Sequence, residues 1–275
     1  MIVIYGGTAA YHLKLEDHAQ VGERRVIATP YGDSAPFVQL TAGDTNVWFS
    51  SRHGEGGLQR SAAFVNHRAN IWAARELGAT GILSWNGVGA IAPGLSVGQL
   101  VVPDDVLDMT RARVASFLPH PNPSPPGGER LRKAASPPLH LMERGAGGEV
   151  TTPETAGGEV SNAPFSPALR ARLIAACAAS GKAYATHGAY VCTEGPRLET
   201  AAEISLYGWG GAAVVGMTLV PEVWLAAELG LPYASLCIVT NMATGRWHFD
   251  PRRDFGPGVG VTGLHVTLAA ASQPV

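Results

Sequence analysis

Residues 65–89 read VNHRANIWAARELGATGILSWNGVG, and the two halves of this stretch obey different periods. Val65, Ala69, Trp72, Ala73 and Leu77 recur at three- and four-residue spacing, so they line one face of a helix that reaches back to Ser61. Gly78 interrupts it. Residues 81–85 are then an apolar run of strand length, followed at once by the small-residue turn Asn86-Gly87-Val88-Gly89. A helix feeding a buried strand that ends in glycines is the repeating unit of a mostly parallel sheet covered on both faces.

The same unit recurs outward in both directions. Strand-length runs lie at 1–5, 47–51, 100–102, 187–193, 213–216 and 233–240, and helical patterns at 168–180, 200–208 and 221–229. The expectation is an α/β fold in one domain, with ligands gathered in the loops at the carboxyl ends of its strands. Residues 119–165 break the pattern. They are rich in Pro, Gly, Ser and Glu, repeat Ala-Gly-Gly-Glu-Val, and carry too little apolar surface to offset the entropy of ordering, so they read as a flexible surface insertion.

Composition narrows the partners. The chain has 275 residues, 46% hydrophobic and 15% charged, enough for a full core, and a formal net charge of −2, which speaks against a nucleic-acid surface. Cys177, Cys192 and Cys237 are far apart and without CxxC spacing, which fits core thiols in a reducing compartment. The chain opens on Ile2-Val3-Ile4 with no basic leader, and no segment reaches 18 uninterrupted apolar residues. The expectation is a soluble cytoplasmic protein with no membrane contact.

Six polar elements stand at strand ends. Gly6-Gly7-Thr8 lets backbone approach an anion while amides and a hydroxyl donate. Ser51-Arg52-His53-Gly54 offers a planar guanidinium fork matched to phosphate, with His53 a further donor when protonated. Asn86 and Gly87 follow the third strand. Thr193-Glu194-Gly195-Pro196-Arg197-Leu198-Glu199-Thr200 turns sharply into a helix, Gly216-Met217-Thr218 leads to Pro221-Glu222, and Thr240-Asn241 closes the last strand. Each alone reads equally as an ordinary turn; their recurrence in order points to one shared site.

Together GGT at 6–8, TPYG at 29–32, RHG at 52–54, VNHRANIWA at 65–73, TEGPRLET at 193–200, VGMTLVPE at 215–222 and LPYASLCIVTN at 231–241 resemble the methylthioadenosine phosphorylase and purine nucleoside phosphorylase family, over roughly 1–118 and 166–245. The resemblance implies a single domain with a mixed, barrel-like central sheet flanked by helices, assembled as a homotrimer or a dimer of trimers. It also implies a reaction, attack of phosphate on the anomeric carbon of a purine nucleoside, without metal or cofactor beyond phosphate as co-substrate. By the family pattern Thr8, Arg52, His53, Asn86, Gly87 and Thr218 hold phosphate. Met217 packs on the sugar, Leu198 covers the base, and Glu199, Thr240 and Asn241 recognise it. Catalytic duty falls to Asn241 and His53.

Base chemistry refines this reading. A 6-oxopurine presents an N1–H donor and an O6 acceptor, matched by a carboxylate and an amide; adenine inverts that edge. Glu199 with Asn241 therefore favours hypoxanthine or guanine, and the wider motif set leans toward S-methyl-5'-thioinosine as nucleoside. Alternatives are a methylthioadenosine phosphorylase, a water-using nucleosidase, and a catalytically weak purine-binding relative. Three features depart from the family pattern: Ala9 in the glycine loop, the insertion beginning just after Ser116-Phe117, where relatives lend residues to a neighbouring subunit, and the Gly- and Pro-rich tail 246–275 with His248 and Phe255.

Overall fold

The computed structural model describes residues 1–7, 10, 13–55, 59–118 and 163–245. Its centre is β1 (Ile2–Gly6), flanked in parallel by β6 (Thr45–Ser51) and β7 (Gly81–Ala90). Outside β6 the sheet turns antiparallel through β5 (Phe37–Ala42) to the edge strand β2 (Gln20–Arg25). On the other side β7 pairs in parallel with β13 (Tyr233–Met242), then come β8 (Leu100–Val101) and β10 (Tyr184–Ala185). A short ribbon, β3 (Ala28–Thr29) with β4 (Gly32–Asp33), stands apart.

The sheet branches at β7. Residues Gly81 to Trp85 pair with β1, but Gly89 and Ala90 pair with β12 (Ala212–Gly216), which continues through β11 (Ala189–Thr193) to β9 (Asp105–Met109). Since β13 occupies one edge of β7 along its whole length, β12 must take over the edge that β1 leaves. Among the described residues parallel and antiparallel neighbours mix in one eleven-stranded sheet, as the fold expectation required.

Among the described residues four helices cover it, and three of them start where a side chain satisfies a first free amide. Asn66 caps α1 (His67–Glu76), Ser166 followed by Pro167 opens α2 (Pro167–Ala179), and Thr200 with Glu203 forms a reciprocal capping box on α3 (Ala201–Trp209). The fourth, α4 (Leu219–Glu228), begins directly after Thr218. Residues 61–65 are not helical as expected; only a single tight turn, Ala62–Phe64, precedes the Asn66 cap. The main core joins both sheet branches to α1 and α4, through Val3, Tyr5, Ile71, Val88, Tyr190, Val214, Val223 and Val239.

The expected insertion lies outside the described residues up to 162, but its last part is core: Phe165 is 3% exposed and stacks on Tyr233. The tail 246–275, with His248 and Phe255, also lies outside them, as do Thr8 and Ala9. Among the described residues no helix is long and apolar enough to cross a membrane.

Candidate active site

The second half of β7 is the spine of the site, and here the structure corrects the reading of residues 86–89 as a turn. They remain strand because β13 runs alongside to Met242, pairing Cys237 with Asn86, Ile238 with Gly87 and Asn241 with Gly89. The glycines are there for clearance: a β-carbon at Gly87 would stand 3.2 Å from the Thr240 methyl, and one at Gly89 3.1 Å from Val215 and 3.3 Å from the Asn241 amide. A register shift between Val239 and Asn241 leaves Thr240 as an extra residue, so β13 too continues past its expected end.

At the Asn86 end lies a buried polar group centred on Arg52, which is 1% exposed. The fork expected to meet phosphate is instead engaged by a carboxylate. Nε and Nη2 donate to the two oxygens of Glu222 at 2.7 and 3.0 Å, and Nη2 also reaches the Tyr5 carbonyl at 3.3 Å. What remains is Nη1, 3.0 Å from Asn86 Oδ1, 3.3 Å from the Trp85 carbonyl and 3.5 Å from Thr218 Oγ1. A buried guanidinium without a partner would be untenable, so the carboxylate is what keeps this charge in the core. Burial opposes both charges, yet each outweighs it for the other: Arg52 is raised, and Glu222 is held below the usual carboxylate range by Arg52 and His67. The Tyr233 hydroxyl donates to Glu222 at 2.9 Å, and His67 Nδ1 lies 3.4 Å from it.

Asn86 meets Arg52 and Thr218 through its oxygen. Its amide nitrogen is spent on Ser84 and Ser235 at 2.9 and 2.8 Å, so Oδ1 is what it presents, accepting from Arg52 and from the Thr218 hydroxyl at 2.8 Å. Two donors thus converge on one neutral acceptor, which a phosphate oxygen could replace. Gly7 closes this group from the β1 side; a β-carbon there would strike the Trp85 carbonyl at 2.6 Å and stand 3.1 Å from Arg52 Nη1.

His53 was read as a donor when protonated, and its surroundings reverse that. Burial first and the Arg52 charge second bring its pKa down to about 4, so the ring is neutral at pH 7. Nδ1 lies 2.9 Å from the Arg60 carbonyl, which can only accept. The proton therefore sits on Nδ1, and Nε2, buried and without a partner among the described residues, carries a lone pair.

The other end of the spine carries Asn241, opposite Gly89, with Thr240 just before it, and the remaining base-side residues lie on the loops after β11 and β12. Glu199 is 8% exposed and accepts the Thr193 hydroxyl on Oε1 at 2.5 Å, while Oε2 takes no hydrogen bond among the described residues. Thr240 Oγ1 is 3.1 Å from the Val88 carbonyl and 3.0 Å from Asn241 Oδ1, while Asn241 Nδ2 gives one hydrogen to the Met242 carbonyl at 3.0 Å. Met217 abuts Gly195, whose φ of +66° and lack of a side chain let the sulfur come within 2.6 Å of where a β-carbon would be. Leu198 is the outlier, 45% exposed at the surface of its loop.

Sequence reasoning passed over the supports. Glu222 figures in the sequence only in the Pro221-Glu222 pair that follows Thr218, though a carboxylate inside the otherwise apolar LVPEVWLAA at 219–227 was the available signal. His67, Tyr233, Ser84 and Ser235 carried none. Arg113, also unread, binds the site's loops together.

An α/β fold with a guanidinium-centred polar group at the ends of parallel strands is the architecture of an enzyme whose ligands bind in the strand-end crevice. The chain belongs to the phosphorylase superfamily, which residues 1–259 match. It is 37% identical over 246 residues to a "Probable S-methyl-5'-thioinosine phosphorylase" of Pseudomonas syringae pv. tomato, covering 88% of this chain and 85% of that one. It is 38% identical over 247 residues to the 6-oxopurine nucleoside phosphorylase of Pyrococcus furiosus, covering 89% and 80%. Among solved structures, methylthioadenosine phosphorylase from Schistosoma mansoni in complex with adenine superposes with a TM-score of 0.73 at 26% identity, covering 98% of this chain and 86% of that one.

Proposed function

We propose that the chain catalyses phosphorolysis of a 6-oxopurine nucleoside, giving free base and a pentose 1-phosphate, with S-methyl-5'-thioinosine the first substrate to test and inosine or guanosine next. The observation that carries this reading is the arrangement along β7, with the Arg52 group at Asn86 and Asn241 at Gly89, together with the buried Glu199 held by the Thr193 hydroxyl at the end of β11. Adenine-specific cleavage, which the Schistosoma neighbours would suggest, fits less well, since adenine has no N1–H to offer Oε2 of Glu199.

In this account Thr218 and Arg52 Nη1 turn their hydrogens from Asn86 to phosphate, with Thr8, Gly87 and local amides completing the cradle. The neutral His53 Nε2 accepts from the phosphate O–H. A phosphate oxygen attacks C1' as the bond from C1' to N9 breaks, the purine leaves with the electron pair, and the proton lost by phosphate ends on the base. Asn241, through the amide hydrogen not given to Met242, donates to O6 or N7 as charge builds there. Met217 packs on the sugar and Leu198 closes over the base. Phosphate is the co-substrate and no metal or cofactor is needed. The active form is a cytoplasmic homotrimer, or a dimer of trimers, measurable by sedimentation.

The test is an activity panel of inosine, guanosine, adenosine, methylthioinosine and methylthioadenosine, each with and without phosphate. Phosphate-dependent cleavage of the oxopurines supports the reading; phosphate-independent cleavage selects a nucleosidase, and hypoxanthine binding without turnover selects a binding protein.

A further inference from the structure

Arg113 follows β9 and has a side chain only 3% exposed. A guanidinium has five N–H donors, and all five are used. Nε donates to Glu194 Oε1 at 3.1 Å, Nη2 to the Thr193 and Glu194 carbonyls at 3.1 and 2.7 Å, and Nη1 to the Met217 and Val220 carbonyls at 2.5 and 2.6 Å. Glu194 returns the tie through its other oxygen, which accepts the amides of Arg111 and Ala112 at 2.7 and 3.1 Å.

These acceptors belong to two arms that do different work in the proposed reaction. Thr193 ends β11 and Glu194 follows it, and the Thr193 hydroxyl orients Glu199. Met217 and Val220 bracket Thr218, and Val220 lies two residues before Glu222, the partner of Arg52. One rigid, planar side chain therefore spans the base arm and the phosphate arm, without touching either ligand-facing side chain.

We propose that Arg113 is a positioning residue that fixes the separation of the base arm and the phosphate arm, so that purine and phosphate bind with positive coupling and at reacting distance. This rests on the proposed phosphorolysis. A lysine could not substitute, because one ammonium with three donors cannot reach carbonyls on both arms in a planar fork.

The test uses Arg113→Lys and Glu194→Gln in the full chain. Calorimetry gives the Kd of hypoxanthine with and without inorganic phosphate, and steady-state rates give kcat and KM. The expected result for a folded Arg113→Lys is a Kd for each ligand alone within about threefold of the parent, coupling between them reduced about fivefold or more, and kcat down at least about tenfold. Glu194→Gln, at a carboxylate whose side chain is 29% exposed, should show the same pattern more weakly and decides the matter if the lysine variant does not fold. Coupling and kcat within about twofold of the parent in a folded variant overturn the proposal. So does a loss that merely tracks the folded fraction. A parent chain that phosphorolyses nucleosides without any coupling overturns this inference alone, whereas one that binds neither hypoxanthine nor phosphate overturns the functional reading with it.

Discussion

The Arg52 guanidinium and the Glu222 carboxylate meet edge to edge, Nε to Oε1 at 2.7 Å and Nη2 to Oε2 at 3.0 Å, with both side chains fully buried. Neither charge can leave without stranding the other. Glu222→Gln keeps the shape but removes the compensating charge, and should destabilise the fold by about 3–5 kcal/mol. Because phosphate supplies a replacement negative charge, adding it should raise the denaturation midpoint of the variant more than that of the parent. Equal midpoints in the two proteins would contradict the assignment.

His53 makes stability depend on pH with a definite sign. Its folded-state pKa is depressed to about 4 from 6.5, so between those values the unfolded chain takes up the proton and the folded one does not. The stability is complete above the upper value and drains away as pH falls toward the lower one. Between roughly pH 7 and pH 5 the loss is about 2 kcal/mol. Chemical denaturation of the parent and His53→Gln at both pH values and one protein concentration checks this: the variant should lose less, and parallel losses would argue against a buried neutral imidazole.

Among the described residues Asn241 spends one amide hydrogen, on the Met242 carbonyl, and the other makes no bond. If that hydrogen meets the departing purine, Asn241→Ala should cost about 2–4 kcal/mol of transition-state stabilisation, seen mainly in kcat with inosine-type substrates. Unaltered turnover in a folded variant would remove Asn241 from the mechanism.

Glu199 sets which purine edge is accepted. Glu199→Gln replaces an acceptor-only group with one that also donates, which suits the adenine N1 lone pair, and the inosine-to-adenosine ratio of kcat/KM should narrow about 10²-fold. A ratio that does not move would mean that the base is read elsewhere.

How far the sequence exposes all this varies with the range of the interaction involved. Apolar runs such as 81–85 and 233–240 announce their strands because burial on both faces demands it. Asn86-Gly87-Val88-Gly89 misleads, since glycine signals a turn locally, whereas here it gives clearance to Thr240, Asn241 and Val215, residues more than a hundred positions away. β2 went unread for a different reason: QVGERR is an edge strand with almost every residue exposed, so it bears no apolar alternation. At the site, Arg52, Asn86 and Thr218 were legible as strand-end polar residues, and the structure brings them together. The direction in which Arg52 points was not legible, because Glu222 lies 170 residues along the chain. Arg113 was hidden in the same way, 104 residues from Met217.

The most direct measurement of the central claim is phosphorus NMR of the full chain with S-methyl-5'-thioinosine and inorganic phosphate, alongside a phosphate-free control. The account predicts a sugar 1-phosphate resonance growing in step with free hypoxanthine, and no hypoxanthine in the control. Release of hypoxanthine without phosphate, or faster consumption of methylthioadenosine under the same conditions, would contradict it.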